Sequence, residues 1–359
     1  MKILPETINA PSYECRGGGF VGWIEKRTVS LGRFLMWCTV NFALWPIIRL
    51  VAKRLRLIDF LFVVYPGTSE DVTAYIPLWL HWKIRKILPL SVLGILSRGK
   101  SGKRGLIITL MYEPEELTVT QLKQFLGRIN RFANSVGATS IALAGRLPSI
   151  FLESRISLDS PFLRGDRGAV FTVTETLRHV LDAENLSPHS TIGVLGVGFI
   201  GGKVVRYLRE IGYSSVIGFD QRVKNPHEND HITLTNDFTL LRHCQVVVIL
   251  TAKGSDIAET ITHFREGVIV VDDTHPQLPS YLVEEIRAKK GKVYKSALGL
   301  EGVRFLPEIP GYDREWLPGC VIEALVVSNG HAGANQQDFD QISKEIGFRP
   351  LLITPKGEG

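Results

Sequence analysis

Residues 193–202, GVLGVGFIGG, decide how this 359-residue chain folds. The stretch contains three glycines at the spacing Gly-x-Gly-x-x-Gly, namely Gly196, Gly198 and Gly201. An apolar strand is predicted before the turn, over residues 191–195, because the residues there are β-branched or aliphatic. An amphipathic helix is predicted after it, through residues 203–211, because apolar residues recur there at helical spacing. The stretch therefore predicts a strand, a tight glycine turn and a helix.

This arrangement is typical of a dinucleotide pocket. Glycines allow the tight turn, the close approach of a pyrophosphate and the close packing of helix on strand. The free amides at the helix start then hold the phosphates. A second strand, over residues 215–219, ends in Asp220, where an acidic side chain meets the ribose hydroxyls. We therefore predict an NAD(P) site formed by Gly196, Gly198, Phe199, Ile200, Gly201, Asp220, Arg222, Thr251 and Ala252.

The choice between the two cofactors stays open at this point. Asp220 favours NAD, because a carboxylate binds the ribose 2′-hydroxyl. Arg222 favours NADP, because a guanidinium two residues later can pair with the 2′-phosphate.

The rest of the chain predicts an α/β protein with two main units. Near-continuous apolar runs at residues 246–251 and 268–272 are typical of parallel strands and extend the nucleotide sheet. The strand pattern before the glycine turn predicts an N-terminal α/β substrate domain, and C-terminal helices are expected to pack back. The predicted units are an N-terminal extension (1–56), a substrate-binding domain (57–185), a Rossmann-type NAD(P) domain (186–300) and a C-terminal helical segment (301–359).

Composition sets the broad class. An apolar fraction of 45% with 22% charged residues is ordinary for a globular protein with a full core. The four cysteines, Cys15, Cys38, Cys244 and Cys320, are far apart, so neither a disulfide framework nor a zinc site is predicted. We expect a cytoplasmic protein with no metal and no nucleic-acid partner. Chain composition says nothing of its oligomeric state.

The N-terminal segment is basic and apolar. Residues 1–60 hold nine Lys and Arg against four acids, which is a difference of +5 in a chain of net charge +6. Residues 34–48 form an apolar run that Pro46 interrupts. The run is shorter than the roughly 20 residues that span a bilayer. Residues 29–56 are therefore expected to contact the cytoplasmic face of a membrane; a true span and a buried core helix are the alternatives.

Residues 94–101, GILSRGKS, match the phosphate-loop pattern. A phosphate loop must open a helix, whereas an apolar β-branched run follows here at residues 105–110. The segment is better interpreted as a β-hairpin with a basic turn.

A second candidate site lies near the C-terminus. Residues 318–330 predict a helix, with Cys320 in its first turn. The helix dipole favours a thiolate there, which is the reactive form of cysteine. Glu323 lies one turn on, on the same face, and would position a proton or a water. His331 and His275 are candidate proton donors, because imidazole titrates near neutral pH.

The sequence resembles the aldehyde-forming long-chain acyl-(acyl-carrier-protein) reductases from about residue 58 to residue 354. The motifs that carry the resemblance are the hairpin at residues 90–110, residues 142–145 with Ser149 and Ile150, the glycine turn, residues 297–301, Cys320 with Glu323 and Ala324, and residues 347–351. Two segments depart from the family pattern: residues 165–170 replace a polar Gly-Asn segment, and Asp220 stands where the family usually lacks an acid. The first 56 residues have no recognised counterpart.

The resemblance implies an acyl group transferred from acyl-carrier protein or acyl-CoA to Cys320, reduction with NADPH (or NADH), and release of a fatty aldehyde. One alternative is a hydroxy-acid or alcohol dehydrogenase without covalent catalysis, because the glycine turn and residues 217–222 also resemble the nucleotide unit of 2-hydroxy-acid dehydrogenases. The Arg, Glu and His of that family have no clear match after Asp220. Another alternative is a membrane-tethered NAD(P)-binding protein without activity.

Overall fold

The computed structural model describes residues 31–67, 69–187, 189–224, 227–229, 232–309 and 313–353. Most of the N-terminal extension, with Cys15 and four of its basic residues, lies outside this part. The helices are α1 Leu31–Ala43, α2 Trp45–Arg54, α3 Ser69–Thr73, α4 Leu78–Ile84, α5 Val119–Val136, α6 Leu147–Glu153, α7 Asp166–Ala183, α8 Gly201–Glu210, α9 Ser280–Ala288, α10 Gly319–Ser328 and α11 Gln336–Ile346.

The described strands form two large sheets and one small one. They are β1 Phe60–Val64, β2 Leu90–Leu96, β3 Gly105–Leu110, β4 Ser140–Leu143, β5 Phe162–Leu163, β6 Ile192–Leu195, β7 Val216–Phe219, β8 His227–Asn229, β9 Ile232–Thr235, β10 Val246–Ile249, β11 Ile269–Asp272, β12 Lys292–Lys295, β13 Leu298–Gly299, β14 Phe305–Leu306 and β15 Arg349–Pro350.

The first sheet has the order β14-β2-β3-β1-β4-β5. Strands β3, β1, β4 and β5 are parallel, and β2 pairs antiparallel with β3 as the predicted hairpin. The central strand β1 is apolar throughout because both of its faces are covered: Phe60 and Phe62 belong to one core cluster, and Leu61 and Val63 to the other. Residues 94–101 thus enter a hairpin turn.

The second sheet has the order β12-β11-β10-β6-β7-β9-β8, and all strands except β8 are parallel. Counted along the chain, its six parallel strands follow the order 3-2-1-4-5-6 of a doubly wound nucleotide-binding fold. The order reverses between β6 and β10, which is where such folds bind ligands. The predicted fold class, an α/β protein with a Rossmann-type sheet, is confirmed.

Helix α10 lies on the first sheet rather than on the second. It crosses α7 closely enough that a Cβ at Gly168 would lie 1.9 Å from the carbonyl oxygen of Gly319. It also contacts β4. The C-terminal helix α10 therefore packs back, as predicted, and it does so on the first sheet. Its first turn reaches the boundary between the two sheets.

The apolar N-terminal run forms two helices. Helix α1 ends in a π turn, Thr39–Ala43, and α2 begins with Pro46 in its first turn. No single helix in the described ranges is long and apolar enough to cross a bilayer, whereas α1 and α2 together pass that test as a pair bent by 71°. The interruption predicted at Pro46 is confirmed.

Candidate active site at the sheet boundary

The glycine turn has the geometry that a dinucleotide needs. Gly196 has a φ of +91°, a conformation that favours glycine. A Cβ at Gly201 would lie 2.0 Å from the carbonyl oxygen of Gly196, so this position must stay bare for α8 to pack on the turn. A Cβ at Gly198 would meet only the guanidinium of Arg222, at 3.4 Å. The backbone of Gly198 is thus open to the cleft, where a pyrophosphate would approach.

Asp220 and Arg222 form one unit at the end of β7. The carboxylate of Asp220 accepts hydrogen bonds from the Arg222 backbone N–H at 2.9 Å and from its Nε and Nη2 at 3.0 Å each. Burial raises the pKa of Asp220, but the hydrogen bonds from Arg222 outweigh burial and hold that pKa below its usual value. The two residues that favoured different cofactors are therefore bound to each other.

A broad cleft runs from the glycine turn to the start of α10. Its walls include the predicted residues Gly198, Phe199, Ile200, Gly201, Arg222, Thr251 and Ala252. Gly196 and Asp220 line an adjoining depression together with Gly198 and Arg222. All nine predicted cofactor residues thus lie around one end of β6, β7 and β10. The residues fit an NAD(P) molecule. The predicted cofactor, NAD(P)H, is confirmed without distinction between its two forms.

Cys320 lies in the cleft, where burial disfavours the thiolate form of its side chain. The residue is partly buried and stands in the first turn of α10. Burial raises the pKa of the thiol to about 12, against the weaker opposing effect of backbone N–H groups at the helix start. The prediction of a thiolate stabilised by the helix dipole is wrong, because loss of solvent outweighs the dipole.

Glu323 holds two helices together. It is almost fully buried, and its Oε1 accepts from Arg167 Nη2 at 3.2 Å. Its Oε2 accepts from the backbone N–H groups of Arg167 and Gly168, at 3.1 and 3.4 Å, in the first turn of α7. Burial raises the pKa of Glu323, and Arg167 opposes the rise. Glu323 is not among the residues that line the cleft, so the structure does not bring it to the predicted site.

The structure places the two candidate histidines in different surroundings. His331 lies on the surface beyond α10, beside residues of α11 and outside the cleft. His275 lines the cleft, and burial lowers the pKa of its imidazole, which opposes the predicted role of a proton donor near neutral pH. Only His275 is placed where a reacting group would be.

Two residues outside the predicted catalytic set, Asp273 and Lys295, complete the cleft. Asp273 follows the last residue of β11, and burial raises the pKa of its carboxyl to about 7, although the ammonium of Lys295 opposes the rise. Lys295 ends β12, donates to the carbonyl oxygen of Thr274 at 2.5 Å, and lies 3.5 Å from Asp272 Oδ2. Their positions at the carboxyl ends of adjacent parallel strands are the available sequence signal.

Asp272 itself is structural. Its Oδ1 accepts from the backbone N–H and the hydroxyl of Thr274 at 2.9 and 2.6 Å, and its Oδ2 accepts from the backbone N–H of Leu278 at 3.1 Å. The described residues contain no group of three His, Cys, Asp or Glu side chains placed to hold a metal.

An apolar cavity of about 90 Å³ adjoins the cleft on the side of the first sheet. Four residues line both spaces: Tyr65, Gly145, His275 and Pro318. The remaining walls are mostly apolar and aromatic, and include Trp37, Phe62, Tyr75, Leu93 and Phe305. Tyr65 is held at the junction, where its hydroxyl accepts from the Arg146 backbone N–H at 3.1 Å.

No protein-family model and no curated protein matches the chain. Similar solved structures include a D-isomer-specific 2-hydroxyacid dehydrogenase from Xanthobacter autotrophicus Py2 in complex with NADPH, at 18% identity, 36% coverage of this chain and TM-score 0.27. That match spans 65% of the Xanthobacter protein. A D-lactate dehydrogenase from Treponema pallidum is 16% identical over 66% of this chain and 78% of its own, at TM-score 0.28.

A shikimate 5-dehydrogenase from Thermus thermophilus, in complex with NADP(H) and shikimate, is 14% identical over 80% of this chain and 100% of its own, at TM-score 0.39. The comparisons contradict the predicted membership in the acyl-(acyl-carrier-protein) reductases, since none of these similar structures is one. The prediction of thioester reduction through an acylated Cys320 is therefore wrong as well. The raised pKa of the Cys320 thiol agrees with this result.

Proposed function

We propose that the protein is an NAD(P)-dependent dehydrogenase that interconverts an alcohol and a carbonyl compound whose larger part is apolar. The observation that carries the proposal is the meeting of two spaces. A cleft shaped for a dinucleotide adjoins an apolar cavity, and Asp273 lies in that cleft. A substrate lying across the junction would have its apolar part among aromatic side chains and its polar end beside a titratable carboxyl.

Asp273 is the proposed acid and base. Bound NAD(P) would supply the hydride chemistry. For oxidation, the Asp273 carboxylate would accept the proton of the substrate hydroxyl, and for reduction its carboxylic acid would return a proton to the carbonyl oxygen. A group whose pKa lies near the working pH serves both directions. Lys295, anchored on Asp272 and on the Thr274 carbonyl, supports the loop that presents Asp273.

Asp273→Asn tests this assignment. We expect the substitution to lower kcat about 10²–10⁴-fold in either direction while NAD(P)H binding, followed by fluorescence titration, stays unchanged. In the natural protein, alcohol oxidation should fall as the pH drops below about 7, because protonation removes the base. Carbonyl reduction should fall as the pH rises above about 7, because ionisation removes the acid.

The matched control is Asp182→Asn, an exposed carboxylate on α7. It should leave both rates and both pH profiles unchanged. A full rate in Asp273→Asn, or pH profiles without a break near neutral pH, would rule out Asp273 as the acid and base.

A 2-hydroxy acid is a second candidate substrate, because Arg146 and Arg164 also line the cleft and could pair with a carboxylate. Kinetics with a panel of apolar alcohols and 2-hydroxy acids distinguish the two. If the substrate is a 2-hydroxy acid, Arg164→Gln should raise KM for hydroxy acids alone. A protein that binds NAD(P)H tightly but converts neither class would be a non-enzymatic binding protein.

A further inference from the structure

An unusual surface lies beside the first sheet, formed by the exposed sides of the adjoining helices α1 and α2. Large apolar side chains are exposed there together with basic ones, and we call this the apolar-basic face. Its apolar members are Leu31, Leu35, Phe42, Leu44, Ile47, Leu50, Val51 and Leu55. Exposed apolar side chains concentrated on adjoining helices mark a site of interaction.

Helix α2 presents its apolar stripe to solvent. Ile47, Leu50, Val51 and Leu55 follow helical spacing on one side and are 61%, 68%, 40% and 62% exposed. The other side of the helix is already packed: Ala52 is buried, and Trp45 stacks on Phe132 of α5 with ring centroids 4.8 Å apart. The stripe therefore faces away from the protein although the helix has a core-facing side as well.

Helix α1 is likewise attached by one side only. Trp37 is buried and donates from Nε1 to the Ser91 hydroxyl at 3.2 Å. Asn41 pairs with the backbone of Val92 in both directions, at 2.9 and 2.7 Å. These bonds hold α1 against β2, with Leu35 and Phe42 left exposed. Helix α1 therefore lies along the surface of the protein.

Helix α4 carries a similar exposed surface near α1. Trp37 of α1 and His81 of α4 line one cavity, so the two helices are neighbours. On its outer side α4 exposes Trp79 and Trp82, 64% and 52%, and the guanidinium of Arg85 lies 3.9 Å from the Trp82 ring centroid. Tryptophan beside basic residues is typical of the interfacial region of a membrane.

The charge on this face has one sign. Residues 31–58 contain five Lys and Arg and no acid. Residues 78–88 contain three and no acid, and one of the three, Arg85, pairs with Glu116 at 2.9 Å. Four of these basic residues are exposed on α2 and just after it, and none pairs with an acid in the described ranges: Arg49, Lys53, Arg54 and Arg56. Such a surface attracts an anionic layer, and a second copy of the same face would be repelled.

We propose that the apolar-basic face docks the protein on an anionic lipid bilayer, with α1 and α2 lying in the interface. The apolar stripe enters the headgroup boundary, and the basic side chains around it contact anionic lipids. The bonds that hold α1 on β2 and the packing of α2 on α5 oppose insertion of the pair as a span. The proposal does not depend on the dehydrogenase activity.

Vesicle co-sedimentation of the full chain tests the docking. Vesicles of phosphatidylcholine with phosphatidylglycerol are compared with vesicles of phosphatidylcholine alone, at low and high salt. We expect binding to the anionic vesicles that weakens with salt. Arg49→Gln with Lys53→Gln should weaken it about 25-fold, from about fivefold per removed charge. Ile47→Gln with Leu50→Gln should weaken it by at least about tenfold.

The matched control is Ile211→Gln with Leu352→Gln, an exposed pair of the same residue types outside the apolar-basic face. It should bind like the natural protein, and circular dichroism confirms that each variant is folded. Failure of the natural protein to bind anionic vesicles overturns the proposal. So does equal loss in the control pair, or a lipid-free dimer that Ile47→Gln with Leu50→Gln converts to a monomer, because the occupant would then be a second copy.

Discussion

At the level of single residues, the ion pair between Asp220 and Arg222 controls the choice between NAD and NADP. In the structure the guanidinium occupies both oxygens of the carboxylate. An NAD ribose would have to share Asp220 with Arg222, whereas a 2′-phosphate would compete with Asp220 for the guanidinium. Arg222 is mostly exposed, so it can turn toward either partner. The pair therefore permits both cofactors. It favours the cofactor whose contacts with Asp220 or Arg222 outweigh the loss of hydrogen bonds between these two residues.

Substitution of each partner separates the two preferences. Arg222→Gln should raise KM for NADPH by about 10–100-fold, because it removes a charge-assisted contact to the 2′-phosphate, and should change KM for NADH little. Asp220→Ser should shift preference toward NADPH, because it frees the guanidinium and removes a negative charge. Steady-state kinetics with both cofactors measure the effect, and Arg242→Gln, an exposed arginine elsewhere in the nucleotide unit, is the control. Equal losses with both cofactors in Arg222→Gln would make the pair purely structural.

The sequence predicts the position of a residue where the local chain decides it, and fails where distant parts of the chain decide. The glycine turn and Asp220 depend on spacing within about 30 residues, so they could be predicted from the pattern. The pKa of Cys320 depends on burial by segments far away in the sequence, and the dipole argument alone gave the wrong direction. Asp273 and Lys295 were missed as a pair because only the pairing of β11 with β12 brings them together.

At the level of elements, the junction between the glycine turn and α8 is the most restrictive contact of the nucleotide unit. Gly201 and Gly202 are adjacent in α8 but differ in their surroundings. A Cβ at Gly201 would overlap the Gly196 carbonyl, whereas a Cβ at Gly202 would make an ordinary contact of 3.8 Å with Val197. The two positions therefore provide a matched pair of glycine substitutions.

Gly201→Ala should weaken NAD(P)H binding by more than tenfold and lower the melting temperature, because α8 must move away from the turn to make room for the methyl group. Gly202→Ala should keep binding and raise stability by about 0.5–1 kcal/mol, because alanine favours a helix. Fluorescence titration with NADH and thermal denaturation measure both effects. Equal behaviour of the two variants would show that α8 does not need close contact with the turn.

Strands and helices with a strong local pattern were predictable, and short elements were not. Helix α5 has such a pattern: Thr118 and Gln121 form a capping box at its start, and Gly137 ends it at a φ of +82°. The hairpin of β8 and β9 has only three and four residues per strand, too few for a periodic signal, and it was not predicted. Pairing of β9 with β7 provides its stability instead.

At the level of the whole molecule, the two sheets supply different halves of one site. The nucleotide sheet provides the cleft and Asp273, and the first sheet provides most of the apolar cavity. Helix α10 connects them, because its first turn lies in the cleft while Glu323 anchors it to α7. The residues around the first sheet should therefore determine which substrate sizes fit, and those around the nucleotide sheet should determine which cofactor binds.

Narrowing the cavity tests this division. Ala144 lines the cavity next to Gly145, at the junction with the cleft. Ala144→Leu should raise KM for substrates with long apolar chains on the order of tenfold or more, because the added side chain occupies volume that such a chain needs. KM for short substrates and the affinity for NAD(P)H should stay unchanged, since the cofactor residues belong to the other sheet. A uniform rise in KM for all chain lengths would mean that the cavity does not hold the substrate, and the apolar part would then have to lie in the open cleft.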